Sequence, residues 1–285
     1  MAAPSPADRT KLPKLTVPVI YGHPSMAKAS LDVAEPSKYS VVEDVHTIEI
    51  RDARPIAGEL SLDREGFMLV RHVANTPHDE AFIALNLVRQ DDSPALNRRY
   101  IAEVQPLIEA TTGADEIIPQ TCRIVVRATP RAGLATTDPI APLVHLDYTE
   151  TLAERVVADS LAALGREWPR HRRIAIFQTW RVLSPPPQDN MLAICDAASV
   201  SLDDSIVLRT RSMSEQNDVR LFRYNPEHRW YFFSAMRPDE LLLFKGFDTA
   251  DPQSMTGAHV AFDMPAEGET NPRVSVEARF IAFYR

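Results

Sequence analysis

The strongest constraint on how this chain folds is a polar pair set inside an apolar run, Pro142-Leu143-Val144-His145-Leu146-Asp147-Tyr148-Thr149. On a β-strand, residues two apart point to one face, so His145 and Asp147 project together. Such a pair arises by chance in many chains, and alone it is more often structural than functional. Joined by one distant histidine, it becomes the 2-His-1-carboxylate set that grips Fe(II) on one side and leaves its other positions open. Two histidines compete for that place. His259 lies in Gly257-Ala258-His259-Val260-Ala261-Phe262, and His228 lies in the aromatic stretch Tyr224-Asn225-Pro226-Glu227-His228-Arg229-Trp230-Tyr231-Phe232-Phe233.

The segments downstream of the two histidines favour His259. After it, the residues Arg273, Ser275, Glu277, Arg279, Ile281 and Phe283 alternate, so on a strand they share a face. A guanidinium at Arg273 can clamp the far carboxylate of a keto acid through a two-pronged ion pair, with the Ser275 hydroxyl as a second donor. Arg237, downstream of His228, instead opens the polar turn Arg237-Pro238-Asp239-Glu240. Gln178 shares a face with Ile174, Ile176 and Trp180, and it reads either as a donor to the keto acid or as a structural amide. Trp180, Ile281 and Phe283 are candidate pocket walls, with core packing as the plain reading of the last two. Arg127 ends the run Cys122-Arg123-Ile124-Val125-Val126-Arg127; it reads as a contact for an anionic substrate group or as a surface salt bridge.

At 285 residues the chain can bury a large core as one domain. We expect that domain over residues 39–285. The six prolines among residues 1–38 predict an extended or disordered arm without a regular ladder. With 31 basic and 39 acidic residues the net charge is −8, and no dense Lys/Arg block tracks a phosphate backbone, so nucleic acid is not an expected partner. Cys122 and Cys195 each sit in apolar segments, which suits buried thiols and a reducing compartment. No run of apolar residues is long enough to span a bilayer, and the start lacks a signal peptide's apolar region. The expectation is a cytoplasmic monomer or homodimer that acts on a small molecule and does not bind membranes.

Along the chain, Tyr39 to Ile50 and the segments around Gly66 read as strands, and His72 and His78 as exposed loop histidines. Tyr100, Ile101, Val104, Leu107 and Ile108 recur at helical spacing before Gly113, predicting a helix that covers the sheet. Thr149 is placed to cap a second helix with Leu152, Val156, Val157, Leu161 and Leu164 inward and Gly165 at its end. Residues 173–183, 191–196, 205–211 and 241–248 read as strands, and the aromatic stretch 224–233 as a core strand. No phosphate loop, dinucleotide fingerprint or nucleophile elbow is present.

An ordered set of blocks resembles the CmcJ/AsaB-type hydroxylase/desaturase family, which includes gibberellin desaturase-like enzymes and a cephalosporin methoxylation component. The blocks are Asp52-Ala53-Arg54, Leu62-Asp63-Arg64-Glu65-Gly66-Phe67, Thr112-Gly113-Ala114, Val144-His145-Leu146-Asp147, Trp180-Arg181, Cys195-Asp196, His228-Arg229-Trp230-Tyr231-Phe232, Asp239-Glu240-Leu241-Leu242-Leu243-Phe244-Lys245, His259-Val260-Ala261-Phe262 and Arg273-Val274-Ser275-Val276-Glu277-Ala278-Arg279. The resemblance implies a double-stranded β-helix (jelly roll, cupin-like), mainly β with flanking helices. It also implies an oxygenase of specialised metabolism that uses Fe(II), 2-oxoglutarate and O2 to hydroxylate, desaturate or cyclise a small molecule. By resemblance His145, Asp147 and His259 ligate the metal, and Arg273 with Ser275 clamps 2-oxoglutarate. Two positions depart from the family pattern: Gln178 stands where Asn is usual, and Val182 replaces the proline of a Trp-Arg-Pro run. The alternatives are an accessory subunit of a methyltransferase or oxidase pair, and a zinc-dependent cupin-like hydrolase.

Overall fold

Alternation of inward and outward side chains organises two β-sheets packed face to face. The computed structural model describes residues 8–28, 30–32, 42–75, 80–87, 95–120, 124–134, 140–211, 216–251, 256–265 and 268–285; His78 and Cys122 lie outside them. The first half contains β1 (Lys14–Gly22), β2 (Ser30–Asp32), β3 (Glu43–Asp52), β4 (Phe67–Arg71), α1 (Glu80–Leu87), α2 (Ala95–Thr112), β5 (Glu116–Pro119), β6 (Val125–Ala128) and β7 (His145–Leu146). The second half contains α3 (Glu150–Ala163), β8 (Arg173–Val182), β9 (Asn190–Cys195), β10 (Ser205–Arg211), β11 (Gln216–Phe222), β12 (Trp230–Phe232), β13 (Glu240–Asp248), β14 (His259–Asp263) and β15 (Val274–Tyr284).

Among the described residues one sheet has nine strands in the order β1-β3-β12-β9-β14-β7-β11-β10-β2, and the other has the order β4-β13-β8-β15-β5 with β6 also paired to β15. Trp180, Val182, Leu242 and Phe244 of the smaller sheet pack against Ile194, Trp230, Val260 and Phe262 of the larger in one buried cluster. This two-sheet arrangement is the expected jelly roll.

Helices cover what the sheets leave open. The outward residues of β8 and β15, among them Phe177, Val276 and Phe280, meet Tyr100, Ile101, Val104 and Ile108 of α2. That helix stops at Gly113, whose φ of +64° is a conformation glycine adopts without a Cβ penalty. Helix α3 starts where Thr149 accepts a hydrogen bond from the Leu152 amide at 3.2 Å. It then buries Ala153, Val157 and Leu161 against Ile176, Ile281 and Phe283.

Four expectations change. The arm predicted for residues 1–38 contains β1, which runs antiparallel to β3 from Lys14↔Arg51 to Gly22↔Glu43, and β2, which pairs with β10. Proline is tolerated in β1 because an edge strand can lose an outward N–H, while Val17, Val19 and Tyr21 alternate into the core. A boundary at residue 38 therefore does not separate arm from domain among the described residues. In the aromatic stretch only Trp230–Phe232 is strand, since Asn225 and its neighbours form a turn. His72 is not a free loop residue: Arg181 Nη2 donates to its Nδ1 at 2.6 Å, and Glu103 lies 3.6 Å from its Nε2. Ile281 and Phe283 lie beneath α3 and not at the pocket.

Two features of this framework generate tests. Buried Asp248 accepts from Arg173 at 2.8 and 2.5 Å and pairs with Lys245 at 2.9 Å. Burial works to raise its pKa, but the Arg173 and Lys245 bonds outweigh burial and hold it below the ordinary 3.8. A carboxylate with a depressed pKa adds stability above its ordinary value and loses it as pH falls through the depressed one. Asp248→Asn should therefore cost about 3 kcal/mol at neutral pH, and urea unfolding should show the gap to wild type closing as the pH drops below 3.8. Gly257 has φ +80°, and a Cβ there would lie 2.3 Å from the Lys245 carbonyl oxygen. Gly257→Ala should lower the unfolding free energy by more than about 2 kcal/mol in the same assay.

Candidate metal centre and adjoining pocket

Strand register brings the two histidines together. β14 lies between β9 and β7, and His259 stands directly opposite His145 in the β14–β7 ladder. Directly opposed residues on neighbouring strands hold their side chains side by side, and the two rings have centroids 4.2 Å apart. Asp147 comes just past β7, with Oδ1 3.4 Å from His145 Nε2. One ligand atom from each of His145, Asp147 and His259 falls within 4.8 Å of the others.

Backbone carbonyls set the ring orientation. His145 Nδ1 lies 2.7 Å from the Leu143 oxygen, and His259 Nδ1 lies 2.7 Å from the Gly257 oxygen. A carbonyl only accepts, so each Nδ1 carries the proton and each Nε2 keeps its lone pair for a metal. Burial and the neighbouring His145 push the His259 pKa down to about 4, so its ring is neutral at pH 7. Burial works to raise the Asp147 pKa, but the charge of Arg279 prevails and holds it well below the carboxylate range. Two imidazoles and one carboxylate form the donor set of a 2-His-1-carboxylate iron site.

The smaller sheet forms the opposite wall. Arg279 Nη2 donates to Asp147 Oδ2 at 2.9 Å, and Arg279 Nε donates to Gln178 Oε1 at 3.0 Å, across the Arg279↔Gln178 pair of β15 and β8. Further out, Arg127 pairs with Glu277 at 2.8 Å. Trp180 faces the same cavity, with the Arg273 guanidinium 5.6 Å from its ring centre. Arg273 is 1% exposed; its Nη1 donates to Asn190 Oδ1 at 2.5 Å, and burial lowers its pKa to about 10, leaving it cationic. Three buried side-chain atoms on this wall have no partner among the described residues: Gln178 Nε2, Arg273 Nε and Ser275 Oγ. All three can donate, and a buried donor without an acceptor costs free energy. A dicarboxylate brings the acceptors they lack, so the residues present fit 2-oxoglutarate as well as iron.

The remaining candidates fall elsewhere. His228 Nε2 lies 3.2 Å from Asp204, and its ring stacks on Tyr21, so it is tied into a structural network apart from the three clustered ligands. Arg237 pairs with Asp239 and Glu240 on the surface. Arg127 lines the cavity, but through its ion pair with Glu277. Cys195 is a buried free thiol whose pKa burial raises to about 12. The contact of Arg279 with Asp147 and the support of Arg273 by Asn190 were not anticipated. Alternation already placed Arg279 on the Arg273 face, whereas nothing local signals Asn190. Beyond the ligands a cleft of about 1380 Å³ opens between β1 and the loops around Thr129 and Asn271, and it meets the site at Ile140 and Ala261.

Comparison with known proteins agrees with this geometry. A family model described as YDMC, an oxidoreductase/YMDC permease-like domain, matches residues 21–283. Hydroxylase/desaturase efuI of Hormonema carpetanum is 30% identical over 264 residues, which is 83% of this chain and 83% of that protein. The Fe(II)/2-oxoglutarate-dependent dioxygenase nvfI of Aspergillus novofumigatus is 26% identical over 245 residues, 84% of this chain and 83% of that one. The solved structure of the iron and alpha-ketoglutarate-dependent endoperoxidase NvfI shares the fold, with a TM-score of 0.77 at 23% identity over 95% of this chain and 98% of that one. An accessory subunit or a zinc hydrolase finds no counterpart in these relatives. The chain belongs to this oxidoreductase family, the hydroxylase/desaturase group of dioxygenases that use Fe(II), 2-oxoglutarate and O2.

Proposed function

We propose that His145, Asp147 and His259 hold Fe(II), that Arg273, Ser275 and Gln178 hold 2-oxoglutarate, and that the enzyme oxidises a small molecule of specialised metabolism. One observation carries this reading: three ligand atoms within 4.8 Å of one another face a wall on which Gln178 Nε2, Arg273 Nε and Ser275 Oγ have no acceptor among the described residues. Bound together, iron, 2-oxoglutarate and O2 supply an oxidant that takes a hydrogen atom from an unactivated C–H bond.

The chain's own residues position and shield. His145 and His259 present Nε2 to the metal, the His259 ring being neutral at pH 7, and ionised Asp147 offers Oδ1. Arg273, desolvated and resting over Trp180, pairs with the distal carboxylate of 2-oxoglutarate while Ser275 donates to it. Gln178, whose Oε1 accepts from Arg279, has Nε2 left to donate to the keto acid. Phe244, with its ring centre 5.3 Å from that of His259, helps to keep water from the ligands. The substrate enters by the cleft that meets the site at Ile140 and Ala261. The choice between hydroxylation, desaturation and ring closure depends on how the cleft presents the substrate's C–H bonds. No helix among the described residues is long and apolar enough to cross a membrane. We assign the enzyme to the cytoplasm as a monomer or homodimer.

Anaerobic titration with Fe(II), and then a succinate assay against candidate metabolites, tests the reading. His145→Ala should weaken Fe(II) binding by at least about 100-fold and abolish succinate formation, with the circular dichroism of the fold retained. Metal binding and succinate yield equal to wild type would place the iron elsewhere. Arg273→Ala should raise the 2-oxoglutarate requirement by at least about tenfold, the equivalent of about 1.4 kcal/mol, while leaving Fe(II) affinity in place. An unaltered requirement would remove Arg273 from the cosubstrate site.

A further inference from the structure

The carboxylate of Asp147 is held at one end and faces the histidines with the other. Its Oδ1 faces His145 Nε2 at 3.4 Å, whereas its Oδ2 accepts from Arg279 Nη2 at 2.9 Å. The arginine is itself fixed: Nε donates to Gln178 Oε1 at 3.0 Å, and Glu277 Oε2 lies 3.5 Å from Nη2. Glu277 is fixed in turn by Arg127 at 2.8 Å. These anchors stand on β8, β15 and β6, in the sheet opposite the one that carries the histidines. If the carboxylate rotated to present both oxygens to a metal, the guanidinium could not move with it.

We infer that Arg279 is a positioning residue that restricts Asp147 to one metal-binding oxygen and so reserves a coordination position for 2-oxoglutarate or O2. The inference rests on the iron reading and adds to it a cause for the open positions. Two histidines and one carboxylate oxygen fill three positions of an octahedral ion, and a chelating keto acid with O2 requires the other three. A two-oxygen Asp147 would take one of those. The same contacts explain why Arg279, though inside the pocket, is not the cosubstrate clamp. Its Nε and Nη2 are committed to Gln178 and Asp147, whereas Arg273 Nε has no acceptor among the described residues.

The test uses the full chain loaded anaerobically with Co(II), whose visible absorption reports coordination, and titrated with 2-oxoglutarate. Arg279→Gln should keep Co(II), change its visible spectrum before any 2-oxoglutarate is added, and weaken 2-oxoglutarate binding at least about tenfold. Arg279→Lys, which keeps a cation beside Asp147, should fall between that variant and wild type. A purely structural role would shift the melting temperature without changing the Co(II) spectrum. A glutamine variant with wild-type spectrum and 2-oxoglutarate affinity would overturn the inference. His145→Ala separates the two levels: if that variant binds Co(II) as wild type does, the metal reading itself fails; if it loses Co(II) while Arg279→Gln is unaltered, only the positioning role fails. Should neither arginine variant fold, a crystal structure of the Mn(II)-loaded wild type decides. One Asp147 oxygen within about 2.2 Å of the ion and the other on Arg279 is expected. Both oxygens at that distance would refute it.

Discussion

The ion pair between Asp147 and Arg279 ties the segment just past β7 of the larger sheet to β15 of the smaller, and the geometry of the site depends on it. The larger sheet contributes the ligands and the smaller one the cationic wall, so their separation decides whether one pocket exists. A carboxylate and a guanidinium removed from water must find each other or destabilise the fold. Here they meet across the sandwich. Gln178, Glu277 and Arg127 hold the guanidinium there, each joined by a charge or hydrogen bond to its neighbour.

That arrangement keeps a charged interior tolerable. Arg273 has Asn190 and the face of Trp180, while Glu277 sits between Arg127 and Arg279. Most buried polar groups along this wall are therefore satisfied inside the protein, and those without a partner among the described residues share a character: they can donate. Rigid surroundings with a few unmet donors form a site prepared for an acidic ligand before it arrives, which lowers the ordering cost of binding.

Much of the fold was legible because strands and helices announce themselves locally. The alternation of Arg273, Ser275, Glu277 and Arg279 with Val274, Val276 and Ala278 is a one-dimensional pattern, and β15 keeps to it from Val274 to Tyr284. Thr149 and Gly113 act within a turn of their helices, so their roles were visible too. The same logic misled where two local signals competed. Over residues 1–38 six prolines argue against a ladder, yet Val17, Val19 and Tyr21 alternate into the core and an edge position makes Pro18 harmless. Ile281 and Phe283 lie on the Arg273 face as expected, but alternation gives a face and not a depth; α3 covers that end of the sandwich.

From the amino-acid order alone came the chemistry on offer: an imidazole and a carboxylate two residues apart, a later His, and an Arg-x-Ser strand beyond it. These are properties of spacing along one backbone, and a strand's period of two converts spacing directly into direction. The convergence of His259 on His145 and Asp147, favoured over His228 by the strand that follows it, the pairing of Arg279 with Asp147 and the support of Arg273 by Asn190 exist only in the tertiary structure. Each depends on which strands become neighbours and in what register, and residues more than 80 positions apart, such as Asn190 and Arg273, carry no mark of one another until the sheets close.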